Sequence, residues 1–474
     1  MATIGEHKTH FSGPRVMGGH YLGLEKLDDK DNILCKFEKW FCDKYKESHL
    51  VHFYYGKADI PIENIKHGDE VIVAVIDKMK DLKERTFRNG DKDIAVIWKD
   101  WKEDTDEVSL GMEEQQNLQI KQIDKFKKIE KYLEENSKDL LKKHSNLEMI
   151  MASTYRIKKG KISKEPCIVL YCSCKGVVPI NEAKFPTTIH EIKTDVREGF
   201  FHLECNFNGD VCAVSKDLLN PLRMGASIGK EGEQIEGTLG GFVKSNDEFG
   251  FITCAHNFYG PDEMETPELP KTPITVVQPS HEREGSQECG KTVRSVSSFS
   301  NVNEENITVD ATFVRLTERC PEQLFFADLF TARLKNCGFS RATFPRYISG
   351  TPLDLREDED RESHLLKKYL KCGTTTGLTM GYLHLDLFRG RLRDCRFSKS
   401  TKNLQHKYYQ KQLIIEGENF SMGGDSGSFV FQVREDHILD CIGMLVGRCG
   451  KYRRAVTPII PVLNALNASL IPFP

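Results

Sequence analysis

Gly423-Gly424-Asp425-Ser426-Gly427-Ser428, together with the upstream stretch Phe251-Ile252-Thr253-Cys254-Ala255-His256, decides how this chain is read. Glycines on both sides of a serine let the backbone turn tightly there. The N–H groups of Gly424 and Ser426 can then converge on one spot, where the oxyanion of a tetrahedral intermediate would sit. Gly427 leaves room for a substrate backbone. Ser426 is the candidate nucleophile, His256 its candidate base, and the backbone N–H groups of Gly424 and Ser426 the candidate oxyanion hole. Each residue alone has a plainer reading, as a buried core histidine or a surface turn. Their joint presence favours the chemistry.

A base of this kind needs a carboxylate to fix its tautomer. Asp310 is the best placed, in Ile307-Thr308-Val309-Asp310-Ala311-Thr312-Phe313-Val314-Arg315-Leu316. Its small and apolar neighbours alternate as in a strand, which predicts a buried carboxylate. Asp262, Asp328, Asp354, Asp358 and Asp360 lie mostly in charged or turn-like sequence and read as solvated.

The flanks read as hairpins. Gly237–Val243 and Phe249–Thr253 are apolar runs separated by Ser245-Asn246-Asp247-Glu248, and the second run ends at the histidine. After the serine, Phe429–Val433 and Ile438–Gly447 form a second pair. The later strand is expected to wall a specificity pocket and to offer an edge for an extended peptide. Thr457–Leu466 reads as a short closing helix. Gly373-Thr374-Thr375-Thr376-Gly377 could suggest a phosphate loop, but no lysine follows Gly377. It is taken as the first strand of a second barrel, with glycines where another backbone comes close.

The order His, Asp, Ser and the motifs above resemble the trypsin-like, chymotrypsin-fold serine proteases over positions 237–474. The chain is more closely similar to the intracellular trypsin-like proteases of the plant NARROW LEAF 1 type and related bacterial proteins. Two further segments carry that resemblance: Lys371-Cys372-Gly373-Thr374-Thr375-Thr376-Gly377-Leu378-Thr379-Met380-Gly381, and the stretch from His144 to Gly229. The resemblance implies a mainly β fold, a double β-barrel protease core with its site in the cleft between barrels. It implies a serine endopeptidase acting on protein or peptide substrates, with His256, Asp310 and Ser426 as the triad. In secreted trypsins the residue six before the serine sets the first specificity pocket. Here it is Phe420, so a preference for Lys or Arg is not expected. The cut that activates secreted trypsins would fall near Glu236–Leu239, which lacks the basic-residue-then-Ile-Val-Gly-Gly signature. Asp425 is therefore expected to find local backbone N–H groups or a nearby side chain instead of a new N-terminus.

At 474 residues, with 39% hydrophobic and 29% charged residues, the chain has room for two or three domains. A net charge of −3 gives no global field for nucleic acid. No apolar run has transmembrane length, and the N-terminus has no apolar signal core. Neither a nucleic acid nor a membrane partner is expected. The fifteen cysteines are odd in number and rarely in paired spacings. Asn257 and Met422 stand where secreted trypsins place cysteines. A reducing, cytoplasmic location is expected, with the nucleus as an alternative. Cys172 and Cys174 with Cys205 and Cys212 could suggest zinc. The spacing is not Cys-x2-Cys and the segment alternates like a strand, so no metal and no cofactor is expected.

The division expected from these patterns is an α+β module of unrecognised family over 1–107, an amphipathic connector helix over 108–147, a small α/β accessory segment over 148–229, and the protease domain over 230–474. The first part offers a helix from Ile33 to Tyr45 and strands at 50–55, 71–76 and 93–98. The connector carries apolar residues three to four apart and could dock on a neighbour or mediate a homo-oligomer. Two other function classes stay open. One is an inactive protease-fold scaffold that binds peptides. The other is a sensor-gated protease controlled by residues 1–147.

Overall fold

The structure, a computed structural model, describes residues 29–471. Within that span it leaves out 46–48, 78–81, 83, 102–116, 119, 159, 205–216, 261–262, 266–271, 281–284, 298–306, 320, 322–325, 328–330, 339–347, 356–360, 366, 394–407 and 435–438. Strands dominate, as the alternating patterns predict.

The N-terminal part packs the helix Asp29–Lys44 on a sheet of His49–Ala58, Glu70–Asp77, Thr86–Asn89 and Lys92–Asp100. Phe37 and Phe41 on the helix fill one face with Phe53, Phe87 and Ile94. Val71 to Ile76 are buried on both faces, and Glu70–Asp77 pairs parallel with Lys92–Asp100. A continuous apolar run is what a strand covered on both sides requires. The fifth strand, Val177–Pro179, comes from the accessory segment and pairs with His49–Ala58.

The first barrel runs in the order Ser227–Lys230, Thr275–Gln278, Gln287–Ser297, Asp310–Leu316, Glu248–Thr253, Gly241–Ser245. The segment 237–245 closes it. Its start pairs with Ser227–Lys230 and its end with Glu248–Thr253. Asn246 and Asp247 both have positive φ, as a two-residue hairpin turn of the primed type demands. The C-terminal strand Ala468–Leu470 adds to the edge at Gly241–Ser245.

The second barrel is a closed ring of six strands: Gly377–Arg391, Lys368–Gly373, Phe429–Val433, Leu439–Cys449, Arg453–Pro458 and Tyr408–Glu416, which pairs back to Gly377–Arg391. The accessory strands Leu147–Ser153, Cys167–Cys172 and Ile192–Glu198 extend this same sheet, joined where Met149 and Ile150 face Gly390 and Arg389. The helix Ile123–Lys143 lies over them. Ile123, Phe126, Ile129, Leu133 and Leu141 pack on Ile150, Leu170, Leu385 and Tyr408. Glu130 on the helix pairs with the buried Arg389 at 2.8 Å. The amphipathic stripe of this helix is docked on the sheet, and 108–116 lie outside the described residues. The closing helix is Ile459–Leu466, ended by Asn467 in the left-handed conformation. No helix among the described residues is long and apolar enough to cross a membrane.

Candidate active site

The site forms where the barrels meet. Glu248–Thr253 of the first barrel runs into a short 3-10 turn, Ala255–Asn257, which carries His256. Asp310 opens the neighbouring strand, Asp310–Leu316. Ser426 lies in the turn before Phe429–Val433 of the second barrel. All three side chains are buried.

His256 and Asp310 meet twice. Nδ1 contacts Asp310 Oδ2 in a short hydrogen bond, and the His256 backbone N–H donates to Oδ1 at 3.1 Å. A carboxylate can only accept, so the pairing puts the ring proton on Nδ1. Nε2 keeps its lone pair. Tyr409, from the second barrel, donates its hydroxyl to Oδ2 at 2.7 Å. Burial pushes the Asp310 carboxyl up. His256, Tyr409 and the backbone N–H outweigh it and hold the group below its usual value. Of the other aspartates weighed, Asp354 is half-buried after the strand Ile348–Pro352, while Asp262, Asp328, Asp358 and Asp360 lie outside the described residues.

The nucleophile turn is tightly specified. Gly424 and Gly427 have φ of +99° and +95°, a region that side chains rarely adopt. A Cβ on Gly427 would come within 2.1 Å of Thr253 Oγ1. Thr238, in the closing segment of the first barrel, staples the turn from across the cleft. Its N–H donates to the Ser426 carbonyl at 2.9 Å and its hydroxyl to the Gly424 carbonyl at 2.8 Å. The Ser426 hydroxyl donates to Asn257 Oδ1 at 2.8 Å.

Asp425 is fully buried and saturated with donors. Lys371 Nζ lies 3.0 Å from Oδ2. Thr376 Oγ1 and the N–H of Met422 also donate to Oδ2, at 2.6 and 3.0 Å. The N–H groups of Thr375 and Thr376 donate to Oδ1 at 2.7 and 3.2 Å. Thus the glycine- and threonine-rich loop after Lys368–Gly373 does cradle an anion, but the anion is the protein's own carboxylate. An internal ammonium neutralises it, so an uncut chain holds this turn.

The edge of Leu439–Cys449 facing the cleft is occupied. Phe201–Leu203 pairs with it antiparallel, Phe201 opposite Cys449, His202 opposite Arg448 and Leu203 opposite Gly447. The next residue continues the ladder, Glu204 N–H donating to the Val446 carbonyl at 3.3 Å. The Glu204 carbonyl then accepts the Gly424 N–H at 2.6 Å. The predicted oxyanion donor at Gly424 thus holds a carbonyl of this same chain. The Glu204 side chain is buried, with Oε1 3.1 Å from Arg454 Nε.

Sequence reasoning gave no role to Tyr409, Lys371, Arg454, Asn257, Thr238 or Glu204. Tyr409, Lys371 and Arg454 sit in strand patterns that read as ordinary, and Asn257 was noted only for not being a cysteine. Phe420 is buried against Leu383, Leu413 and Ile415, and supplies no carboxylate.

Cys254 Sγ, His256 and Asp310 offer ligand atoms within 4.8 Å of one another. The thiol instead donates to the Leu445 carbonyl at 3.3 Å, and both Asp310 oxygens already accept donors. Cys172 and Cys174 are buried, and burial raises both thiols. Cys205 and Cys212 lie outside the described residues. None of the cysteines among the described residues forms a disulfide.

No protein-family model and no curated protein matches the chain. Its solved-structure neighbours are chymotrypsin-like serine proteases. One is described as a glutamic acid specific serine protease that uses a histidine triad in substrate binding, at 15% identity and TM-score 0.32, over 53% of this chain and 100% of that one. Thermobifida fusca Protease A has 14% identity and TM-score 0.29, over 53% and 98%. Cellulomonas bogoriensis chymotrypsin has 14% identity and TM-score 0.30, over 53% and 100%.

Proposed function

We propose that the chain is a serine endopeptidase that cleaves peptide bonds through an acyl-enzyme. Ser426 attacks the carbonyl and His256 takes its proton. Asp310 holds His256 and stabilises its cation. The N–H groups of Gly424 and Ser426 receive the oxyanion. His256 then protonates the leaving amine, and water resolves the ester. The observation that carries this reading is the doubly bonded His256–Asp310 pair, buried beside a serine turn stapled by Thr238. To engage His256, the Ser426 hydroxyl has to give up its bond to Asn257 Oδ1. Such contacts are commonly loose until substrate binds.

Residues 230–474 are taken as the protease part, 1–107 as an added module, 108–147 as the connector and 148–229 as the accessory part. The finer affiliation, to the NARROW LEAF 1 type, rests on the 371–381 motif and the stretch from His144 to Gly229, and a cytoplasmic location on the cysteine pattern. A fluorophosphonate probe tests the function. It should label Glu204→Ala, in which the cleft is emptied, and fail to label that variant when it also carries Ser426→Ala. Equal labelling of both would remove the assignment.

A second reading is a peptide-binding scaffold. What favours it is the occupied cleft: the Gly424 N–H is engaged by Glu204 and the Ser426 hydroxyl by Asn257. Absence of labelling even after the cleft is emptied would favour the scaffold. The sensor-gated form, controlled by residues 1–147, predicts a change in labelling when that module is removed.

A further inference from the structure

We propose that the first specificity pocket takes a glutamate, read by Arg454, and that the chain's own Phe201–Glu204 fills the pocket and its strand edge as a substrate mimic. The proposal rests on the serine protease reading above.

Three features of the segment match what a bound substrate needs. It pairs antiparallel with the edge Gly447–Cys449, as an extended peptide does when it adds a strand. Its ladder ends on the Glu204 N–H to the Val446 carbonyl. The next carbonyl, that of Glu204, points at the Gly424 N–H in the nucleophile turn. Glu204 therefore stands where the residue before a scissile bond would stand, and its side chain enters the pocket beside the turn.

That pocket sets one buried cation against the acid, while neither Glu204 Oε1 nor Oε2 accepts a hydrogen bond in it. Arg454 is buried, and its donors are committed to fixed acceptors. Nε–H and one Nη2–H go to Ser421, at 2.6 Å to Oγ and 2.9 Å to the carbonyl. Nη1 donates to the carbonyls of Lys451 and Arg453, each at 3.0 Å. The guanidinium is thus held rigid, with its charge against Glu204 Oε1 at 3.1 Å. A preorganised planar cation suits a carboxylate. Burial pushes the Glu204 carboxyl up, Arg454 opposes that rise with a smaller push from Arg448, and Asp425, itself paired with Lys371, adds to it. A neutral or basic side chain in this pocket would leave the Arg454 charge buried without an anion, which is costly.

Full-length Ser426→Ala, Glu204→Ala protein tests the pocket without catalysis. Fluorescent peptides ending Phe-His-Leu-Glu, Phe-His-Leu-Gln, Phe-His-Leu-Phe and Phe-His-Leu-Lys are titrated by anisotropy. The Glu peptide should bind at least about tenfold tighter than any other, a difference of one buried charge contact. It should bind at least about tenfold more weakly when Glu204 is restored, because the cleft is then filled. Equal binding of Glu and Gln peptides would overturn the pocket assignment. Equal binding with and without Glu204 would overturn the mimicry. Neither outcome touches the protease reading, which fluorophosphonate labelling of Glu204→Ala with Ser426 intact decides separately. In that variant, coumarin amides of the same peptides should show Glu over Gln by ~100-fold in kcat/KM. Arg454→Gln, checked by melting for a retained fold, should erase that preference.

Discussion

Asp310 serves three donors at once, and the consequences can be measured one at a time. Asp310→Asn keeps the shape but favours the wrong imidazole tautomer, so turnover should fall ~10³–10⁴-fold. Tyr409→Phe removes one bond to a charged acceptor, of order 1.5–3 kcal/mol. It should lower kcat/KM by ~10-fold and leave KM nearly unchanged. The carboxyl also sets an acid limit. A carboxyl whose folded-state value is depressed stabilises the fold above its ordinary range, and that contribution is lost as pH falls through the depressed value. Below about pH 4 the wild type should therefore lose stability more steeply than Asp310→Asn, as urea unfolding at stepped pH would show. Ser426→Ala removes only the bond to Asn257, a cost of about 1 kcal/mol. Its melting temperature should stay within a few degrees while peptidase turnover falls ~10⁴–10⁶-fold.

The loop between Lys368–Gly373 and Gly377–Arg391 shows how an element serves a buried anion. Two of its threonine N–H groups, with Lys371 from the strand before it, surround Asp425. Lys371→Met should strand a buried carboxylate and cost about 3–5 kcal/mol, read by urea denaturation. Lys371→Met with Asp425→Asn should recover most of that loss. Simple addition of the two single effects would mean the pair is not coupled. The expected strand at 373–377 is instead a turn, 374–376, between two strands, because its N–H groups are drawn to Asp425. Its anion-holding geometry was suggested by its composition. The anion itself was not, because it arrives from a residue far along the chain.

Across the whole molecule the boundaries drawn from composition meet shared sheets. Strands from 148–229 continue the second barrel, and Val177–Pro179 completes the N-terminal sheet. The connector helix covers Ile150, Leu170 and Leu385 with five buried apolar side chains, each worth ~1.5–3 kcal/mol. A chain starting at residue 144 would uncover that face and should aggregate or bind a hydrophobic dye. A chain starting at residue 117 keeps the helix and should remain soluble, with a lower melting temperature because Val177–Pro179 loses its partner strand. Solubility and dye binding of the two truncations check this. Equal behaviour would mean the helix contributes little.

What the sequence determined by itself was local. Alternation marked the hairpins around His256 and Ser426, Asn246-Asp247 marked a turn, and the three-to-four spacing from Leu118 onward marked a helix. Glycines around Ser426 marked a tight turn. These features follow from short-range sterics and from which face of an element must be buried. Only the tertiary structure decided the rest. Whether the helix docks or self-associates depends on a sheet face assembled from Leu147, Ile150, Ile168, Leu170, Leu385 and Tyr408. Tyr409 reaches Asp310, Lys371 reaches Asp425 and Arg454 reaches Glu204 only after two barrels have closed and set their registers. Buried polar partners distant in sequence have no period and no motif. Their pairing is imposed by the cost of leaving either one unsatisfied once the chain has brought both out of water.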